Sequence, residues 1–382
     1  MASLGILKEK VPGENRVAIV PEVLPSFLKL GLEVFIESGA GAGAGYFDES
    51  YVDKGAKILA HGYDVLKKAN IICLIHPPRL EDIAYFAENS ILIALLYPLL
   101  NLDLVKQIAA RNLTAFSLDL IPRISRAQSM DPLSSQSTVS GYKSVILAAH
   151  TLPKFLPMLT TPAGTIPPCK VFIIGAGVAG LQAIATARRL GALVEAYDIR
   201  PIAKEQVESL GAKFVNLPIT AQDVEDRSGY AKAQSETFYS KQRQLIIDQC
   251  KKADIVITTA LVPGIKAPKL ISKEAVENMK PGTVIVDLAA EQGGNCELTV
   301  PGKTVVHNHV VIHGPLNLPS SMAPQASLFY AKNIQSFLSL FFKENKLFIH
   351  WEDEIIKNTL VVREGKIVHE KVLGALNQKL HE

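Results

Sequence analysis

The sequence predicts an α/β protein with parallel sheets, on three observations. Apolar runs of strand length alternate with helix-length amphipathic segments from one end to the other. The chain has 382 residues, enough for two domains at roughly 100–200 residues each. One strand-like run leads directly into a glycine-spaced turn and a helix-like run, "KVFIIGAGVAGLQAIATARRLG".

Toward the N-terminus, "GILK", "LEVFIES", "NIICLIH", "SILIALL" and "LTAFSLDL" read as strands, with "VLPSFLKLG" and "LDLVKQIAARN" as helices between them. Farther along, the strands are "KVFIIG", "LVEAYD", "AKFVNL", "DIVITTA", "GTVIVDLA" and "TVVHNHVVI", the last taken as one strand. "LQAIATARRLG" and "KEQVESLG" are helices ending in glycine, a common stop. "APQASLFYAKNIQSFLSLFF" reads as a long helix, and the tail after it carries no nucleotide motif, so it is assigned back to the first domain. The expected boundaries are residues 1–136, 137–318 and 319–382.

A net charge of +3 without a basic stripe argues against a nucleic-acid reader. Cys73, Cys169, Cys250 and Cys296 are scattered, as reduced thiols are. The N-terminus lacks the pattern of a signal peptide. "ILIALLYPLL" is about half the ~20 residues a membrane span needs. A soluble chain is expected.

Gly175, Gly177 and Gly180 form G-x-G-x-x-G after a strand and at a helix start. Gly175 makes the tight turn, Gly177 admits a pyrophosphate, and Gly180 lets helix pack on strand. The helix N-terminus supplies N–H groups and partial positive charge for the phosphates. Asp198 closes the next strand, where a carboxylate accepts from the adenosine ribose hydroxyls and repels a 2′-phosphate. The motif is that of a Rossmann-like domain binding NAD rather than NADP, although Arg200 nearby could accommodate a phosphate. "ESGAGAGAGYFDE" is also glycine-rich, but its spacing and the following "YFDESYVDKGA" read as a turning surface loop.

No metal is expected. His307, His309 and His313 would share one face of the single strand "TVVHNHVVI", yet no carboxylate or cysteine completes a ligand set. His76 in "IHPP" reads as a strand-end polar residue. "RISRAQSMDPLSSQS", Arg123 to Ser137, is the odd segment: a polar loop between two apolar halves, with no stripe that would bury it.

"KEKVPGENRVAIVPE", "RAQSMDPLSSQS", "GAGVAGLQAIATARRLGA", "KEQVESLGAKF", "GYAKA", "TTALVPG", "MKPGTVIVDLAAEQGGNC" and "GKIVH" together resemble one family almost end to end. It is that of the NAD(H)-binding domain I component of proton-translocating NAD(P) transhydrogenases, with alanine dehydrogenase a more distant likeness. Alanine dehydrogenases carry a lysine in a "VKEP"-like strand end and a histidine in a "YLHLA"-like one. Here those places read "LIHPPR" and "LLYPLLN", with Tyr97 or Pro98 where the histidine would be. Arg16 is kept, but without its proton-transfer partners it cannot run an oxidative deamination.

The resemblance implies two Rossmann-like domains with the cofactor in the cleft between them. It implies hydride exchange of the Si-specific type, in which C4 of one nicotinamide passes hydride to C4 of another and no side chain has to move a proton. It assigns the polar segment to the nicotinamide. Arg123, Asp131 and Ser134 would orient the carboxamide and the neighbouring loop. Gln128 would touch the nicotinamide ribose and the incoming NADP(H), and Ile124, Ser125 and Arg126 would also line the cofactor. Val178 and Ile199 would line it beside the glycine turn and Asp198, and Gln242 and Leu261 further along. Gly229 and Tyr230, in "DRSGYAKAQSETFYSKQRQ", would belong to a mobile loop closing over NAD(H).

By the same resemblance the chain would be a homodimer that docks an NADP(H)-binding domain III, with the proton path on a separate membrane-spanning component. That places it in the cytoplasm, peripheral to the inner membrane. The rival readings are an alanine dehydrogenase-like enzyme and an NAD-sensing module without hydride chemistry.

Overall fold

Ile71, Ile72 and Cys73 are all fully buried, and a strand covered on both faces belongs in a parallel sheet with helices above and below. That is its place in the computed structural model, which describes residues 2–217, 236–261 and 266–379. The chain divides into two units, Met1–Gln136 with Pro319–Glu382, and Ser137–Leu318.

In the first unit the strands run in the order Lys57–Leu59, Glu33–Glu37, Ser3–Ile6, Ile71–Cys73, Ile91–Ala94 and Thr114–Ser117, all parallel. The tail strands Leu360–Arg363 and Lys366–Ile367 extend this sheet antiparallel beyond Thr114–Ser117. Alternate residues supply two cores. Ile6, Val34, Ile71 and Phe116 share one with Phe337 and Phe341 of the tail, and Phe35, Ile72, Leu92 and Val105 build the other. Ring centroids of Phe116, Phe337 and Phe341 lie 4.9 to 5.7 Å apart in tilted and edge contacts, geometry that adds to simple burial.

The second unit holds a seven-stranded sheet: Lys213–Phe214, Leu193–Tyr197, Lys170–Ile174, Ile255–Thr258, Val284–Asp287, Val310–His313 and Thr304–His307. All pairs are parallel except the last. The strand order reverses at Lys170–Ile174, whose neighbours Leu193–Tyr197 and Ile255–Thr258 leave on opposite sides. Such a reversal opens a crevice at the carboxyl ends of the strands. Gly175 is the next residue.

Two expectations need correction. "TVVHNHVVI" is a hairpin, not one strand: Thr304–His307 and Val310–His313 pair antiparallel, and Asn308 and His309 turn with φ of 47° and 61°. The three histidines therefore do not share a strand face. His307 reaches Glu277, and His313 lies between the hydroxyls of Thr151 and Thr304 with burial lowering its pKa. The polar segment is also not a loop throughout. Ser125–Met130 is a 3-10 turn, and an α-helix starts at Pro132 and runs to Thr151. Proline at a first helical position lacks only an N–H that would be unpaired there anyway. The few apolar residues, Ala127 and Met130, face inward and anchor the turn.

The hairpin turn yields a prediction. Two consecutive positive φ values are what a two-residue hairpin turn requires, and Asn-Gly satisfies them best. His309→Gly should raise stability by about 0.5–1 kcal/mol, the relief of left-handed strain less glycine's extra chain entropy. Chemical denaturation reads it; a loss of stability would mean that the His309 side chain holds the hairpin.

Candidate functional site

The glycine turn is built by contacts that leave no room for side chains. Gly175 has φ of 100°, and a Cβ there would lie 2.6 Å from the Thr259 hydroxyl. That hydroxyl donates to the Gly175 carbonyl at 2.9 Å, tying the turn to the end of strand Ile255–Thr258. A Cβ on Gly180 would sit 1.9 Å from the same carbonyl, so only glycine lets helix Val178–Arg189 begin this close to the strand. Gly177 differs: among the described residues, a Cβ there would meet no protein atom within 4 Å. None of the described residues demands glycine at this position, but a backbone that must approach a bound phosphate does. Val178 beside it is exposed.

Asp198 lies just past strand Leu193–Tyr197 and is nearly buried. One carboxylate oxygen accepts from the Ala176 N–H at 2.7 Å, linking it to the glycine turn. The Arg200 backbone N–H donates to the other at 2.8 Å, and the guanidinium donates to both at 3.0 Å. Ile199 between them is half-buried. The Gln242 amide donates to the Tyr197 hydroxyl at 3.0 Å. Burial pushes that phenol up to about 12, against the Gln242 hydrogen bond and with Asp198 adding to the rise, so it stays protonated. Leu261 is exposed beyond strand Ile255–Thr258. Gly229 and Tyr230 lie outside the described residues.

In the first unit the polar segment is held from three sides. Asp131 caps the long helix: one oxygen accepts from the Leu133 and Ser134 N–H groups at 2.9 and 3.2 Å, and the other from the Ser134 hydroxyl at 2.5 Å. A cap of this kind is worth about 1 kcal/mol, so Asp131 has a structural duty whatever else it touches. Arg126 makes a two-pronged pair with Asp353 at 2.8 and 3.1 Å, while Asp353 itself caps helix Glu354–Thr359. Asn333, from the tail helix Ala323–Leu338, donates to the Ser129 carbonyl at 2.8 Å and accepts from the Ser135 hydroxyl at 2.7 Å. The turn so fixed exposes Arg123, Ser125, Arg126 and Gln128 and leaves Ile124 half-buried.

Arg16 is nearly buried and forked onto Glu14 at 2.6 and 2.8 Å, with Gln136 accepting at 2.8 Å. His76 also reaches Glu14, at 2.6 Å. Burial opposes charge on Glu14, yet the hydrogen bonds from Arg16 and His76 win and hold its carboxyl well below the usual glutamate range. Arg16 thus spends its fork inside the chain. The second glycine-rich stretch turns tightly beside this cluster, with φ of 72° at Gly39 and 76° at Gly45. Asp48 accepts from the Gly39 N–H and the Ser38 hydroxyl there. No cluster of histidine, cysteine and carboxylate residues suited to a metal occurs among the described residues.

Sequence reading missed Asn333, Asp353, Thr259 and Gly141, because each acts across a long stretch of chain with no local motif. Gly141, within the long helix, packs on the first turn of the nucleotide helix: a Cβ would lie 2.2 Å from the Ala179 carbonyl oxygen. Gly141→Ala should push that helix N-terminus out of place at a cost of about 1–3 kcal/mol. Titration with NADH should then show a loss of roughly tenfold or more in affinity; unchanged affinity would mean that the helix start tolerates displacement.

Residues 5–140 match the family model described as "Alanine dehydrogenase/PNT, N-terminal domain", and residues 144–370 match "Alanine dehydrogenase/PNT, C-terminal domain". The first-part alpha subunit of NAD(P) transhydrogenase from Rhodospirillum rubrum is 46% identical over 97% of this chain and 99% of its own. The crystal structure of transhydrogenase from Sinorhizobium meliloti superposes with a TM-score of 0.84 at 41% identity, covering 97% of this chain and 99% of that one. An L-alanine dehydrogenase structure superposes at 0.81 with 25% identity, covering 98% and 99%. The chain belongs to the alanine dehydrogenase/PNT family, on the side of the NAD(P) transhydrogenase alpha subunits rather than the more distant alanine dehydrogenases.

Proposed function

We propose that the chain is the NAD(H)-binding component of a proton-translocating NAD(P) transhydrogenase. The observation that carries the reading is the Gly175–Gly180 turn: Gly177 meets open space and is required by no neighbour among the described residues, which suits a backbone that receives a pyrophosphate. When bound, NAD(H) supplies or accepts the hydride at its nicotinamide C4. The chain's own task is to hold and to orient. The N–H groups at the start of helix Val178–Arg189 take the phosphates, and Asp198 takes the adenosine ribose. Arg123, Asp131 and Ser134 orient the carboxamide, and Gln128 reaches the nicotinamide ribose and the incoming NADP(H). Val178, Ile199, Gln242 and Leu261 line the cofactor, with Ile124, Ser125 and Arg126 at its nicotinamide end.

The NADP(H) is proposed to arrive on a partner domain III, and proton passage to occur in a separate membrane-spanning component. Among the described residues no helix is long and apolar enough to cross a membrane, which is compatible with peripheral attachment through partners. Exchange between two nicotinamides demands near-attack geometry, with reacting atoms roughly 3–3.5 Å apart. A homodimer is proposed on the second unit, where Phe155, Met158, Ile166, Leu190 and Leu193 are exposed around the two-stranded hairpin Leu159–Thr161 with Gly164–Ile166. Exposed apolar side chains of this number call for a cover, and a second copy is the cover proposed.

Three experiments test this. With the purified chain, NADH and the cognate NADP(H)-binding domain, a nicotinamide analogue should be reduced only when both proteins are present. Gln128→Asn should slow that exchange far more than it weakens NADH binding; equal losses would make Gln128 a binding residue only. Phe155→Ser with Met158→Ser should convert a dimer to monomers by light scattering. Dimers that persist would move the interface elsewhere.

A further inference from the structure

Strand Ile255–Thr258 ends beside the glycine turn. Its last backbone bonds on either side are the Leu288 N–H to the Thr258 carbonyl and the Thr259 N–H to the Ile174 carbonyl. Ala260 comes next and packs on the turn itself: a Cβ on Gly175 would lie 3.2 Å from the Ala260 nitrogen. Backbone groups in such a place need partners, and among the described residues no backbone group pairs with Ala260. Asn295 supplies both partners. Its amide oxygen accepts from the Ala260 N–H at 3.1 Å, and its amide nitrogen donates to the Ala260 carbonyl at 2.8 Å. A residue in an antiparallel ladder exchanges the same two bonds with the one opposite, so this side chain stands in for a strand.

The second amide hydrogen of Asn295 goes to the Pro268 carbonyl at 2.9 Å. The residue is fully buried, and its two donors and its acceptor oxygen are all engaged. The backbone that carries it is fixed as well. Its carbonyl accepts from the Leu270 and Ile271 N–H groups at 2.8 and 3.0 Å. The Cys296 N–H donates to the Asp287 carboxylate at 3.0 Å, and the Thr258 and Thr299 hydroxyls donate to it at 2.9 and 2.6 Å. A buried polar network with its members paired is rigid. This one holds the chain as far as Ala260, and the next residue, Leu261, is exposed.

We propose that Asn295 is a positioning residue of the nucleotide site: its amide holds Ala260 on Gly175 and thereby holds Leu261 against the bound nucleotide. This rests on the dinucleotide reading given above, which places Leu261 on the cofactor, and adds what keeps it there. Fully buried, Asn295 acts through Ala260 and Leu261 and not by contact with the ligand.

The test is a double-mutant cycle on NADH affinity, titrated calorimetrically with the full chain as the natural protein, Asn295→Asp, Leu261→Ala and the pair. Asn295→Asp keeps an oxygen for the Ala260 N–H but turns a second oxygen toward the Ala260 and Pro268 carbonyls, which pushes the segment off the turn. It should lose roughly tenfold in NADH affinity. In the Leu261→Ala background the same substitution should cost less than about threefold, because residues that act as a unit do not add. Losses that multiply, including the case in which Leu261→Ala costs nothing, make Asn295 merely structural and overturn the proposal. So does an Asn295→Asp protein that binds NADH as the natural one does. Ser272→Ala, which removes the cap of helix Lys273–Glu277, is the control for general destabilisation. It should lower the unfolding temperature and leave NADH affinity unchanged; a matching loss of affinity there also overturns the proposal. Should Asn295→Asp not fold, Asn295→Ser takes its place in the cycle, its hydroxyl and a water pairing the same groups. A natural protein without NADH affinity sinks the dinucleotide reading itself, whereas binding with losses that multiply sinks only the assignment of Asn295.

Discussion

The carbonyl of Gly175 lies against the Cα of Gly180, and the second unit is arranged around that contact. It lets a helix begin directly on the end of the central strand, where the strand order reverses. Thr259 from the next strand and Ala179, packed under Gly141, hold the turn from either side. Asp198 joins it through the Ala176 N–H. Three distant stretches of the chain thereby converge on one short turn. The space left over, beside Gly177, is what the arrangement offers to a ligand.

The first unit solves another problem. Its polar segment must present exposed hydrogen-bonding groups and still keep one shape, although it buries little apolar surface. Capping by Asp131, the two-pronged grip of Asp353 on Arg126, and the Asn333 amide spanning Ser129 and Ser135 supply that shape. Two of the three anchors come from the tail, which also extends the sheet. A chain that returns to its first unit after building the second can place such anchors. The same unit keeps a cavity lined by Glu9, Glu14 and Arg16, but fills the arginine's fork with its own Glu14 carboxylate. An arginine so occupied suits a fold-holding role better than a carboxylate substrate.

Much of the fold was legible because strands such as "NIICLIH" and "GTVIVDLA" are apolar on both faces, and only a parallel sheet buries both. The local frame of the glycine turn was legible too, since its spacing and the flanking strand and helix are contiguous in sequence. "TVVHNHVVI" misled because Asn308 and His309 carry no glycine or proline, the usual marks of a turn. Valine pairs flank the polar run His307–His309 on both sides, so one strand and a hairpin look alike. The helical start at Pro132 was hidden by its serines, which disfavour helix interiors but suit a first turn that Asp131 caps. Asn333, Asp353 and Gly141 left no signal at all, because their partners lie across the fold.

The central claim is that hydride passes from one nicotinamide to the other without an ionisable side chain taking part. The most direct measurement follows the hydrogen itself. NADH labelled with tritium at the transferring C4 position is mixed with this chain, its NADP(H)-binding partner and NADP⁺, and the label is traced. The account predicts that it is recovered in NADPH with none released to water. Label appearing in the solvent would contradict it, because the hydrogen would then have passed through a group that exchanges its protons.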